Sequence, residues 1–195
     1  NIYDKEGEVG EVTDYSGAYI NFLIHFHTDR DYFECHEILE EYWKAHPEHP
    51  LSRSFVLLIQ IAVAQYHERR GNRRGALKML QSADMYFHPE QISELGLDPE
   101  RLREELEERK KDLARDGRPF TDLNLPIRDP ALSLLCQESC RSSGLQWGVL
   151  SDIQNDELVH RHTRRDRSSV IEERRLQKER KENQRRSTLE PRTDG

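Results

Sequence analysis

Apolar positions fall into helical stripes over the first 116 residues, and the period then fades. Residues 15–28 (YSGAYINFLIHFHT) space their apolar groups three and four apart, which predicts a first helix with Ser16 as its cap. Asp29 and Arg30 break it. Residues 31–44 predict a second helix, with Asp31 at the end where a negative charge suits the helix dipole. Pro47 and Pro50 punctuate the loop 45–51. From Ser52 to Arg70 the pattern is helical again, and from Phe55 to Ala64 it is apolar nearly all round, as in a central helix packed on several sides. Gly71 and Asn72 stop it. A fourth helix over 73–87 carries Ala76, Leu80, Ala83 and Phe87 on one stripe, and Pro89 ends that stretch. Asp98 and Pro99 open a fifth, whose narrow stripe of Leu102, Leu106 and Leu113 suits a helix on the surface of a bundle, closed by Gly117.

Beyond that point the texture changes. Residues 118–127 read as an extended segment, Asp129 and Pro130 open a short helix to Ser142, and LQWGVL at 145–150 reads as a short strand paired with the earlier segment. After Ser151 there is little apolar content, and a last helix from Ser168 or Ser169 would have almost no apolar face. The predicted fold is all-α. A compact bundle of four to five helices occupies 15–116, between a flexible N-terminus (1–14) and a small α/β appendage (117–150). A polar basic tail (151–195), partly helical or disordered, follows.

Charge sharpens this division. Of 195 residues, 34% are hydrophobic and 34% charged, with a net charge of −7. Residues 160–195 hold 12 Lys/Arg against 7 Asp/Glu, so the first 159 residues are acidic by 12 units. An acidic body argues against nonspecific nucleic-acid binding and leaves the tail to meet an acidic partner or the chain's own body. The longest apolar run, FVLLIQIAVA, is half a membrane span. Three cysteines (Cys35, Cys136, Cys140) give no disulfide framework and fit a reducing, cytoplasmic setting. Self-association and an unidentified protein partner both stay open.

The candidate chemistry lies in DYFECHEILEEYW at 31–43. At about 100° per residue, Phe33, His36, Glu40 and Trp43 share one arc with Tyr32 and Leu39 beside them, so the arc expected to be buried carries an imidazole and a carboxylate one turn apart. A carboxylate buried alone is costly and must find a partner. In an antiparallel hairpin His36 and Gln60 sit at the same height, eight residues either side of the loop. This predicts a polar cluster of His36, Glu40 and Gln60, with His67 at its edge and the small Ala64 leaving room for close approach. Trp43 is expected to plug the loop end of the hairpin. One reading is a buried hydrogen-bond network that fixes the register of the hairpin. Another is a divalent metal site, since imidazole with carboxylate suits Zn, Fe or Mn. The third ligand would come from His67, Gln60 or Glu37, although Glu37 points some 60–100° away around the wheel. A third reading is a metal-free acid/base pair. His25 and His27 fall on different faces of their helix, one packed and one toward solvent. Cys136 and Cys140 with His160 and His162 have an unusual spacing for zinc.

HEILEEYW carries His36-x3-Glu40-x2-Trp43. With RDYFECHE before it and LIQIAVAQYHERRGNRRGA at 58–76 after it, the stretch over about 15–88 resembles the DUF309 family. The later LPIRDPALSLLCQESC, WG and HRHTRRDRS are similar to its longer Bacillus-type members. The resemblance implies an all-helical core and no assigned reaction. A metal-binding role proposed for that motif carries over to His36 and Glu40. Two function classes follow: a metal- or small-ligand-binding protein, enzymatic or not, centred on the motif, and a noncatalytic interaction module in which the motif is structural.

Overall fold

The computed structural model describes residues 15–115 and 118–164, with side chains to Arg161. The chain is all-α, in the order α1 (Gly17–His27), α2 (Tyr32–Ala45), α3 (Ser52–Arg69), α4 (Arg73–Ala83), α5 (Pro89–Glu94), α6 (Pro99–Ala114), α7 (Pro130–Ser142) and α8 (Asp156–Arg164), with a 3₁₀ turn at Asp84–Tyr86 after α4. It divides into two units, residues 1–159 and 160–195. Of the second, the end of α8 is described, with His160 off helical geometry at φ −115°. The expected loose N-terminus and the helix from Ser168 or Ser169 lie outside the described residues.

In the first unit, short polar side chains start the helices by accepting otherwise orphaned backbone N–H groups. Ser16 accepts from Tyr19, Asp31 from Glu34, Asn72 from Gly75, Asp98 from Arg101 and Asp129 from Ala131. α3 is central, packed between α2 and α4, while α1 lies on α2 and α7, and α4 on α6. Phe22, Phe26, Leu58, Ile61, Leu80 and Leu102 are among the core side chains, each exposed by 1% or less. None of the described helices is long and apolar enough to cross a membrane.

Two sequence readings need correction. Pro89 does not simply end a helix; it opens α5 at the first position, where a missing N–H costs nothing. Among the described residues no strand forms at 145–150, and the extended segment 118–128 makes one isolated bridge, Ile127 to Leu97. The backbone groups that a partner strand would have taken go elsewhere: Gly148 N–H donates to His27 O at 2.7 Å, and Val149 O accepts from Arg30 Nε at 2.7 Å. The segment is also held end-on, Asp98 N–H donating to Pro126 O at 2.8 Å and the Arg128 and Asp129 N–H groups to Gly96 O at 2.8 and 3.0 Å. Gly96 sits at φ +73°, and a Cβ there would come within 2.5 Å of the Tyr15 hydroxyl, so only glycine fits. α8 begins at Asp156, in a stretch that carries little apolar signal.

Arg30, in the link between α1 and α2, fixes how the motif helix leaves α1. It is a non-glycine residue at φ +56°, in the sparsely populated left-handed region, and its side chain is 1% exposed. Its guanidinium donates to Phe26 O (2.9 Å), Leu123 O (3.1 Å), Asn124 Oδ1 (2.8 Å) and Val149 O. These bonds hold the strained turn in place.

Candidate functional site

The buried face of α2 is the stripe Tyr32, Cys35 and Leu39, each fully buried. The arc of Phe33, His36, Glu40 and Trp43 lies at the edge of that face and is half-exposed. The expectation that His36 and Glu40 are tucked inward is therefore corrected. Both arcs carry aromatic groups, and the core takes the one whose polar atoms find partners: Tyr32 OH donates to Asp122 Oδ1 at 2.6 Å, and Cys35 Sγ donates to Phe22 O at 3.6 Å.

At the edge, the side chains of His36, Glu37 and Glu40 are 25%, 38% and 35% exposed. His36 Nδ1 faces Glu37 Oε1 at 3.5 Å, and its Nε2 faces Glu40 Oε2 at 3.6 Å. Both separations exceed the usual length of a charge-assisted hydrogen bond. Glu40 Oε1 also takes Lys44 Nζ at 3.2 Å. One ligand atom from each of His36, Glu37 and Glu40 lies within 4.8 Å of the others. Glu37, expected to point away around the helical wheel, thus reaches the second nitrogen of its neighbour, because a long carboxylate arm can fold back along the helix surface. The Phe33 ring flanks this group, 5.9 Å from the His36 ring and 6.1 Å from Tyr66 on α3.

The other expected members stand elsewhere. Gln60 turns toward α4, where its Nε2 donates to Ser82 Oγ at 3.3 Å, and its Oε1 is buried without a hydrogen-bond partner among the described residues. His67 pairs with Asn72 Nδ2 at 3.0 Å in the α3–α4 turn. Burial, and then the nearby Arg70, lower its pKa from the ordinary value. Trp43 ties α2 to the start of α3 through Nε1–H donating to Ser52 Oγ at 2.8 Å. His25 pairs with Asp29 at 3.0 Å on the surface, whereas His27 is 1% exposed. Cys136 and Cys140 are buried free thiols, and burial raises the pKa of each. The side chain of His162 lies outside the described residues.

The sequence reading missed a second polar centre. Arg69 donates from Nη1 to Arg30 O (2.7 Å) and Ser151 Oγ (3.1 Å), and from Nη2 to Leu158 O (3.2 Å), with its guanidinium 4.8 Å from the centre of the Tyr32 ring. Asp122 accepts from the Tyr32 hydroxyl, from the Ser151 hydroxyl, and from Ser151 N–H at 2.7 Å. The available signal was weak: an Arg between two helices, and a buried Arg at the end of a helix whose middle is apolar.

The DUF309 family model, described as a domain of unknown function, matches residues 19–79. The chain is 40% identical over 173 residues to the uncharacterized protein YpuF of Bacillus subtilis (strain 168), an alignment covering 88% of this chain and 99% of that protein. No solved structure matches it.

Proposed function

This chain belongs to the DUF309 family, whose description carries no activity, and we propose that it is a divalent-cation-binding protein with His36, Glu37 and Glu40 as its ligands. The observation that carries the reading is the convergence of one imidazole and two carboxylates within 4.8 Å on one helix edge. Imidazole with carboxylate oxygen suits Zn, Fe or Mn. Closing the ligand atoms around an ion requires only rotamer changes in half-exposed side chains. Three protein ligands leave coordination positions open to water or a small ligand, as in catalytic rather than structural sites. Lys44 is the internal competitor for Glu40, and the ion must displace it.

Calorimetric titration of untagged protein with Mn²⁺ and Zn²⁺ tests this. The expected result is one equivalent bound, with affinity falling at least about tenfold in both His36→Ala and Glu40→Gln. Wild-type affinity in Glu40→Gln rules the site out.

A second reading, a protein-interaction module, draws support from a different place. Leu145, Leu150 and Ile153 are 41%, 75% and 66% exposed within nine residues of chain, more apolar surface than a loop needs. Light scattering over a concentration series checks self-association: a mass that rises with concentration in wild type and stays monomeric in Leu150→Ser supports it. Equal masses in the two remove it.

A further inference from the structure

The last turn of α1 grips two segments that are distant in sequence. His27 is 1% exposed, and its Nε2 accepts the Leu125 N–H at 3.1 Å. Its carbonyl accepts the Gly148 N–H at 2.7 Å, and the Trp147 ring stands edge-on to its imidazole at 4.4 Å between centroids. Because Nε2 accepts, the ring is neutral with its proton on Nδ1, and Nδ1 is buried without a hydrogen-bond partner among the described residues. A second proton would remove the acceptor for Leu125 and bury an imidazolium.

The charges around it offer no relief. The Arg30 guanidinium follows on the α1–α2 link, and its field disfavours the imidazolium. From segment 118–128 the carboxylate is Asp122, whose oxygens are taken by Tyr32 and Ser151. From α3 comes the cation Arg69. Residues 147–149 bring no charge.

We propose that His27 is an acid-released latch: its protonation frees residues 121–128 and 145–149 from α1 while the helices of the core stay folded. Release also strips Arg30 of three of its four acceptors, Leu123 O, Asn124 Oδ1 and Val149 O, and so uncovers a guanidinium held at a strained turn. Burial first, and Arg30 second, hold the imidazole at a pKa of about 3, so the closed latch resists the proton and the open one accepts it. The device is independent of the cation site, since His27 lies on α1 and touches none of its ligands.

Residue-resolved amide exchange, divided by intrinsic rates, tests the latch on the full chain between pH 7 and 4. The opening of Leu125 and Gly148 should rise by about tenfold per pH unit below the ordinary imidazole range. Leu58 and Ile61 in α3 should keep their protection over the same interval. His27→Gln, whose amide oxygen accepts the same N–H without titrating, should flatten the profile at both amides. An equal slope in His27→Gln overturns the proposal. Should that variant not fold, wild type decides: Leu125 and Gly148 opening before Leu58 and Ile61, in step with protonation of the His27 ring by NMR, supports the latch, and simultaneous loss of all four overturns it.

Discussion

At Arg30 the backbone adopts a conformation that an L-residue with a side chain disfavours, and the side chain compensates. Holding a non-glycine residue at φ +56° costs about 1–3 kcal/mol. Four acceptors converge on the guanidinium from α1, from residues 123–124 and from residue 149. A lysine keeps the charge, yet its single ammonium cannot span that fork. Arg30→Lys should therefore lower unfolding free energy by about 2–4 kcal/mol, because buried carbonyls lose their donors. Urea denaturation checks it, and a midpoint equal to wild type would show the guanidinium bonds to be idle. The same scale explains what the sequence told of the proposed cation site. The adjacency of His36 and Glu40 follows from i, i+4 spacing alone. Their exposure does not, because it depends on Tyr32 and Cys35 finding Asp122 and Phe22 O, contacts 90 and 13 residues away in sequence.

Between elements, local signals were read well and long-range ones poorly. Ser16, Asp31, Asp98 and Asp129 announce helix starts because a cap acts on its own next three residues. The apolar girth of α3 announces a centre because every side of it meets a neighbour. Residues 145–150 alternate like a strand, yet His27 O and the Arg30 guanidinium take their backbone groups, and nothing local reveals that. Gln60 shows the same limit. Height along the hairpin placed it opposite His36, but its rotation about the α3 axis turns it to Ser82 on α4. There, among the described residues, it makes a long hydrogen bond and leaves Oε1 buried without a partner. Gln60→Met fills similar volume with no orphaned acceptor, and Ser82 is open enough to take water instead. The variant should be neutral to about 1 kcal/mol more stable, read as an unchanged or higher melting temperature. A loss of more than about 1 kcal/mol would mean that the Ser82 bond matters more than the orphan.

For the whole molecule, acid acts through opposing effects. The chain carries −7 at neutral pH, so the first protons it takes relieve like-charge repulsion, which favours the compact state. His27 works the other way. Its pKa is about 3 folded against 6.5 as the ordinary value, so between those limits the unfolded chain binds a proton that the folded one refuses. Its contribution to stability is present in full above the ordinary value and is lost as pH falls toward 3. At about 1.4 kcal/mol per unit of pKa difference, the loss between pH 7 and 4 is on the order of 2–3 kcal/mol. Glutamine at this position has no proton to refuse. Wild type should be the more stable of the two at pH 7, and its lead over His27→Gln should shrink by that amount at pH 4, measured by urea unfolding at each pH. A lead that stays constant would mean that the buried imidazole has no part in the acid response, and that carboxylates such as Asp98, whose pKa its bond to the Arg101 N–H lowers, account for all of it. A shrinking lead would place the acid sensitivity of the fold at one ring on the last turn of α1, where Leu125 and Gly148 meet that helix.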